Sequence, residues 1–147
     1  MVKFKIRKLY DDASLPTRGS SKAAGWDLYA HTGGDEITIW PGDTVKIGTG
    51  IAAAIPAGYF GGIFARSGLA AKQGLRPANC TGVVDSDYRG EIIAALHNDS
   101  HEARTIRNGD RIAQLVVIPY LANEYIVTDT LDDTERGEGG FGSTGIN

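Results

Sequence analysis

The sequence lacks the features that mark secreted, membrane-spanning and general polyanion-binding proteins. It has one cysteine, Cys80, which cannot form an internal disulfide and whose apolar neighbours favour a small buried residue over a reactive thiol. No apolar run approaches the ~20 residues that a membrane-spanning helix needs, and residues 1–6 alternate instead of forming a signal-peptide core. The net charge of −3 argues against a broadly basic surface. We therefore expect a soluble, cytoplasmic protein that has neither a polymeric nucleic acid nor a membrane as its partner.

Two common catalytic motifs are also absent from the sequence. It contains no Gly-x-x-x-x-Gly-Lys phosphate loop and no Gly-x-Ser-x-Gly nucleophile turn. His31, His97 and His101 do not have the spacing of a metal site, and we interpret them as surface residues. Any hydrolysis by this chain must therefore use water as the nucleophile.

The apolar residues of this 147-residue chain alternate with polar residues over many short segments. Such alternation, punctuated by Gly and Pro, is typical of strands in a single all-β domain. The predicted strands lie near residues 2–7, 24–30, 45–51, 59–65, 78–84, 91–98, 111–118 and 124–127. One short helix is predicted, capped by Ser67 and ended by Gly74. We expect a jelly-roll-like β-barrel over residues 1–128 and a mobile, glycine-rich tail over residues 129–147, which has too few large apolar residues to form a core.

Residues 82–92 place an acid and an aromatic ring between two apolar segments. The polar composition of residues 85–90 predicts a hairpin connection, with Asp85 and Tyr88 at its tip. A polar tip leaves backbone amides unpaired, and a flat ligand with donors and acceptors along one edge, such as a pyrimidine, can pair with them as an added strand would. The segment therefore predicts a ligand site with Asp85 beside the ligand.

Arginines in polar settings, such as Arg66 and Arg111, are candidates for local phosphate binding. Arg66 precedes Ser67 and Gly68 where a strand ends and a helix begins, and the free amides of a first helical turn favour an anion. The alternative is that Ser67 only caps the helix and Arg66 pairs with a surface acid. Gln114 interrupts an apolar strand and requires polar partners, which are either backbone groups or a ligand.

The tail contains one aromatic residue among glycines, followed by two hydroxyl residues. Glycines allow backbone N–H groups to approach phosphate oxygens, Ser143 and Thr144 add hydroxyl donors, and Phe141 can stack on a base. Arg136 can add a bidentate phosphate contact. The pattern favours a lid that closes over a ligand, with an ordinary unstructured terminus as the alternative.

Taken in order, five segments of the chain resemble the five motifs of the trimeric deoxyuridine triphosphatases. They are residues 24–30 (AGWDLYA), 66–70 (RSGLA), 82–90 (GVVDSDYRG), 109–114 (GDRIAQ) and 136–145 (RGEGGFGSTG). The resemblance implies a homotrimer in which three subunits share each site and the tail comes from a neighbour. It implies Mg²⁺-assisted hydrolysis of dUTP to dUMP and pyrophosphate, which keeps uracil out of DNA and supplies dUMP for thymidylate synthesis.

The resemblance also implies roles for individual residues. Asp85 corresponds to the acid that positions and deprotonates the water attacking the α-phosphorus, and Tyr88 to the ring packed on deoxyribose. Asn79 and the backbone around Gly82 correspond to the groups that read uracil, and Asp27 to the carboxylate that holds Mg²⁺ through water. The phosphate contacts and the residues of the closing tail correspond to Arg66, Ser67, Gly68, Gln114, Arg136, Phe141, Gly142, Ser143 and Thr144.

Two other functions are alternatives to this one: a deoxycytidine triphosphate deaminase and a non-catalytic nucleotide-binding regulator. The complete tail and the pairing of Asp85 with Tyr88 disfavour the deaminase. A regulator has no need for Asp85 and Asp27 together with the phosphate contacts. An assay for pyrophosphate released from dUTP with Mg²⁺ separates the three.

Overall fold

The computed structural model describes residues 2–140, which contain ten β-strands and one α-helix. The strands are β1 (Lys5–Lys8), β2 (Trp26–Tyr29), β3 (Ile37–Ile39), β4 (Thr44–Ala54), β5 (Tyr59–Phe64), β6 (Leu75–Pro77), β7 (Gly82–Val84), β8 (Glu91–Asn98), β9 (Arg104–Ile106) and β10 (Arg111–Pro119), and the helix is α1 (Ser67–Gln73). Among the described residues, no helix has the length and apolar character needed to span a membrane.

The strands form three antiparallel sheets. The first has the order β1-β4-β8-β6, the second has the order β2-β10-β5-β7, and β3 pairs with β9 in the third. The sheets do not close onto one another, so the arrangement is jelly-roll-like without a continuous ring of strands. The predicted all-β fold with a short helix is confirmed.

The two larger sheets share one hydrophobic core. Ile47, Ile92 and Leu96 from the first sheet and Leu28 and Leu115 from the second are at most 1% exposed and belong to the same cluster. Alternation along each strand directs these side chains inward, as in β8, whose residues are buried at every second position from Ile92 to Asn98. This core fixes the strands that carry candidate site residues, such as Asp27 in β2 and Gln114 in β10, or that immediately precede them.

The predicted hairpin over residues 85–90 is wrong. β7 pairs with β5 in the second sheet, whereas β8 pairs with β4 and β6 in the first, so this loop crosses from one sheet to the other. Gly61 of β5 favours this pairing: a Cβ atom at Gly61 would lie only 3.2 Å from the Val84 Cβ atom, so the missing side chain lets β7 approach closely. Turn composition alone carries no information about such a distant partner.

Several local predictions also differ from the structure. Residues 124–127 form no strand and are exposed, because no neighbouring strand within the chain pairs with them. Ser67 is the first residue of α1 and not its cap; Arg66 occupies the N-cap position, and its side chain makes no capping hydrogen bond to the helix, while Gly74 ends the helix in the left-handed conformation as expected. Cys80 is exposed, in a turn where its φ is +59°, and not buried.

Candidate active site

Asp27, Gln114 and the end of β5 lie side by side in the second sheet. In the strand register Gln114 faces Asp27 on one side and Phe64 on the other, so the chain that follows β5 passes close to Asp27. The Gln114 Nε2 atom donates a hydrogen bond to the Ala65 carbonyl at 2.8 Å, which gives this polar residue a backbone partner. The fold therefore brings three of the motif segments together.

Asp27 is the electrostatic centre of this part of the molecule. Its Oδ1 atom accepts a hydrogen bond from Arg66 Nε at 2.8 Å, and its Oδ2 atom lies 3.3 Å from Arg111 Nη1. The Asp27 side chain is only 15% exposed, so the carboxylate is held by two cations in a partly desolvated position. Arg66 thus pairs with an acid, as the alternative expects, but this acid is largely buried and not on the surface. Ser67 and Gly68 follow Arg66 and are exposed at the start of α1.

Asp85 and Tyr88 lie on the loop that crosses between the sheets, and both line one small cavity. This cavity has a volume of about 190 Å³, and its walls are formed by Val83, Val84, Asp85, Tyr88, Glu91, Ile92 and Ile93. Buried Val84 fixes the position of the exposed Asp85 that follows it, and the backbone N–H of Tyr88 donates to the Asp85 carbonyl at 3.2 Å. A cavity that is lined by both an acid and an aromatic residue suits a flat ring system with a reacting group at its edge.

Asn79 and Gly82 lie near the other end of β7. Both are near β5, since Gly82 faces Ile63 in the register, and the Asn79 Nδ2 atom lies 3.5 Å from the position that a Gly82 Cβ atom would take. Asn79 is exposed, which leaves its side-chain amide available. The two residues are thus neighbours, as the sequence analysis expects of groups that read one base.

Within one chain, Asp85 is far from the Asp27 centre. β2 and β7 are the two edges of the second sheet, three strand spacings apart, and Asp85 is also displaced by four residues along the strands. These offsets correspond to a separation of about 20 Å. The described residues therefore form two half-sites, one around Asp27 and one around Asp85.

The predicted tail residues divide between the described and undescribed parts of the chain. Arg136 is exposed, and its Nε atom donates to the Gly139 carbonyl at 2.8 Å. Phe141, Gly142, Ser143 and Thr144 lie outside the described residues. No group of three or more His, Cys, Asp or Glu side chains within residues 2–140 is arranged to hold a metal ion directly.

Glu91 is a wall residue of the Asp85 cavity that the sequence analysis did not single out. Its Oε1 atom accepts a hydrogen bond from the Gly50 N–H at 2.7 Å, and its backbone carbonyl accepts one from the Tyr88 hydroxyl at 2.9 Å. In the sequence, Glu91 is distinguished only as an acid at the first position of a strand that is otherwise largely apolar. Such a residue needs a polar partner once it is partly buried.

A partly buried carboxylate between two arginines, together with an acid and an aromatic residue lining one cavity, is an arrangement expected of a protein that binds phosphorylated ring compounds and activates water. This is the class of nucleotide hydrolases.

Comparisons with known proteins identify the family. A sequence model of the dUTPase family matches residues 11–145. The chain is 49% identical to a deoxyuridine 5'-triphosphate nucleotidohydrolase of Desulfitobacterium hafniense, with 99% of this chain and 97% of the relative covered, and 47% identical to one of Nautilia profundicola, with 98% and 99% covered. The chain belongs to the dUTPase family, and its reaction is the hydrolysis of dUTP to dUMP.

Solved structures agree with this assignment. A mutant dUTPase of Staphylococcus bacteriophage 80alpha with dUpNHpp is 26% identical and superposes with a TM-score of 0.88, covering 99% of this chain and 100% of that one. A mutant dUTPase of phage phi11 of S. aureus shares the fold at a TM-score of 0.80 and 23% identity, covering 90% of this chain and 100% of that one. That structure describes the coordination of a structural Mg(II) ion. The jelly-roll-like fold is therefore shared with dUTPases.

Proposed function

We propose that Asp85 is the general base of dUTP hydrolysis. The observation that carries this proposal is that the exposed Asp85 and Tyr88 line one and the same cavity. With uracil read by Asn79 and the backbone around Gly82, and deoxyribose packed on Tyr88, the carboxylate would face the innermost phosphate. It takes a proton from water as the oxygen attacks the α-phosphorus, and pyrophosphate leaves.

Arg66, Ser67, Gly68 and Gln114 bind the phosphates in this proposal. Arg66 is held by Asp27 before any nucleotide arrives, so little side-chain entropy is lost when it contacts a phosphate oxygen. The single carboxylate of Asp27 beside these phosphate contacts also fits Mg²⁺, because Mg²⁺ keeps several of its waters and is held by one or two carboxylates together with substrate phosphates. Asp27 would hold it through water, and Mg²⁺ bound there supplies neutralisation of the triphosphate charge.

Catalysis requires a homotrimer, because the two half-sites of one chain do not meet. A nucleotide that touches Asp85 with its α-phosphate cannot reach an Asp27 centre about 20 Å away along the same sheet. The Asp85 half-site of one subunit must therefore face the Asp27 half-site of another. A head-to-tail contact of this kind forms a closed ring when the rotation between copies allows it, and the resemblance to the trimeric deoxyuridine triphosphatases implies that the ring has three copies.

The tail supplies the last part of each site, again from a neighbouring subunit. Five large apolar side chains of the segment after β10 are 85–90% exposed in the single chain: Leu121, Tyr125, Ile126, Val127 and Leu131. So many exposed apolar residues in one segment require a covering surface, and another copy of the chain provides it. Residues 129–147 then close over the nucleotide, with Arg136, Ser143 and Thr144 on the phosphates, Gly142 allowing close approach and Phe141 over uracil.

The proposed location of the enzyme is the cytoplasm. The exposed thiol of Cys80 suits this reducing compartment.

The assay is release of pyrophosphate from dUTP in the presence of Mg²⁺. We expect Asp85→Asn to lower kcat by about 10²–10⁴-fold, the usual contribution of a general base, while the affinity for dUpNHpp stays close to that of the unsubstituted enzyme. Asp87→Asn is the matched control, since Asp87 is an exposed acid of the same loop and is assigned to the turn. Near-normal turnover by a folded Asp85→Asn enzyme would exclude Asp85 as the base.

A further inference from the structure

We propose that Gly90 and Glu91 set the angle of the Tyr88 ring and so determine how strongly the enzyme prefers deoxyribose to ribose. This inference rests on the proposed packing of Tyr88 against the sugar. Both residues act through Tyr88 and are positioning residues.

Gly90 provides the space in which the Tyr88 ring lies. A Cβ atom built on Gly90 would be 2.4 Å from the Tyr88 Oη atom, 2.6 Å from Cζ and 3.0 Å from Cε2. Real Cβ atoms essentially never come this close to another heavy atom. Gly90 does not have a left-handed φ, so the ring, and not the backbone conformation, is what requires glycine here. The Tyr88 side chain is thus folded back over residue 90.

Glu91 holds the far end of the same ring. The Tyr88 hydroxyl donates a hydrogen bond to the Glu91 carbonyl at 2.9 Å. This bond and the contact with Gly90 fix both the tilt and the rotation of the ring. The Tyr88 residue remains 44% exposed, so the surface that does not pack on Gly90 stays open to a ligand in the cavity it shares with Asp85.

The carboxylate of Glu91 ties this arrangement to the neighbouring strand. Its Oε1 atom accepts the Gly50 N–H at 2.7 Å, at the point where the pairing of β4 with β8 shifts register between Gly48 and Ala52. A Cβ atom at Gly48 would lie 2.4 Å from this Oε1 atom, so the irregularity in β4 creates the space that the carboxylate fills. The position of the ring therefore depends on β4, through the Glu91 side chain and then its carbonyl.

A shift of the ring changes the space available for a 2′-hydroxyl. Alanine at position 90 must displace the Tyr88 hydroxyl, and this is the far end of a side chain that can rotate without disturbing the core. We therefore expect Gly90→Ala to fold normally with a moved ring. The displaced ring leaves room for ribose and contacts deoxyribose less well.

The test compares kcat/KM for dUTP with kcat/KM for UTP, because a merely structural role would lower both together. We expect Gly90→Ala and Glu91→Ala to reduce the dUTP/UTP ratio about tenfold, the lower end of the discrimination that a small change in pocket shape produces. Tyr88→Phe, which removes only the hydrogen bond to Glu91, should reduce the ratio about fivefold. Glu91→Gln keeps an acceptor for the Gly50 N–H and should restore most of the ratio lost in Glu91→Ala.

Two controls separate this inference from the proposed function. Tyr88→Ala must itself reduce the dUTP/UTP ratio. If it does not, Tyr88 does not read the sugar, and both the proposed packing of Tyr88 on deoxyribose and the present inference fail. If Tyr88→Ala reduces the ratio but Gly90→Ala and Glu91→Ala keep the ratio of the unsubstituted enzyme, only the present inference is overturned. Ile39→Val, in the core within β3, should lower Tm and leave the ratio unchanged. If Gly90→Ala does not fold, an unchanged ratio in Tyr88→Phe overturns the inference by itself.

Discussion

Inactive variants of the two half-sites should restore activity when they are combined in one trimer. Asp85→Asn removes the proposed base, and Arg66→Ala removes a proposed phosphate contact of the other half-site. Asp85 and the Asp27 centre are about 20 Å apart within a chain, so in the proposed trimer each complete site takes these two residues from different subunits. In a mixed trimer, an intact Asp85 from one chain therefore meets an intact Arg66 from another.

The expected recovery follows from random mixing of the chains. With equal amounts, half of the subunits carry an intact Asp85 and half carry an intact Arg66, so about a quarter of the sites receive both. The co-expressed pair should release pyrophosphate from dUTP at about one quarter of the normal rate per site before selection, and at about one third once trimers of a single chain type have been removed. Each variant alone should show only its own residual rate.

A matched pair provides the control. Asp85→Asn combined with Tyr88→Ala should give no recovery, because Asp85 and Tyr88 line one cavity of the same chain and no subunit in this mixture has both. Differently tagged chains, purified through both tags, establish that mixed trimers are present. If such trimers form and the Asp85→Asn and Arg66→Ala pair stays inactive, the site lies within one subunit and the reasoning from the strand register is wrong.

Three further perturbations test other parts of the structure. Ending the chain after Arg136 should leave the trimer folded, with an unchanged Tm, but lower kcat/KM because the closing tail is lost; unchanged turnover would show that the tail has no catalytic part. Asp27→Ala leaves Arg66 and Arg111 without their common partner and should lower the free energy of unfolding by about 2 kcal/mol in a urea titration, whereas an unchanged midpoint would contradict the importance of this ion pair. The hydrogen bond from His31 holds the pKa of Asp12 below its usual value. The contribution of the ionised Asp12 to stability is therefore present above about pH 4 and is lost as the pH falls through the lowered pKa. The Tm difference between Asp12→Asn and the unsubstituted protein should vanish in acid, and a difference that persists there would refute this assignment.

The sequence predicts local structure well where a strand is buried on one face. β8 and β10 agree with the predicted segments to within one residue, because alternation reports the face that each side chain presents to the core. Asp27 and Gln114 could be assigned to candidate strands in this way. Their direct apposition, and the approach of Arg111 to Asp27, depend on which strands pair and in which register, and these are properties of the whole sheet.

The connection over residues 85–90 shows the limit of local patterns. Its composition correctly indicates a turn between two strands, but composition is the same whether those strands pair with each other or lie in different sheets. The choice is made by distant residues, including Gly61 in β5 and the irregularity in β4 that receives Glu91. The position of the Glu91 side chain, and with it the surroundings of Tyr88, could not be predicted from composition either, because that side chain is hydrogen-bonded to Gly50 in β4.

The proposed division of the site between subunits would link substrate binding to assembly. A nucleotide that contacts Asp85 of one chain and Arg66 of another can bind fully only when both chains are in place, so it stabilises the trimer relative to separated subunits. For a ligand that binds only the assembled state, this stabilisation is about 2.7 kcal/mol at a concentration of 100 times Kd. Separated subunits keep the base and the phosphate contacts apart, and the water-activating group therefore acts only where the triphosphate is held by the second half-site.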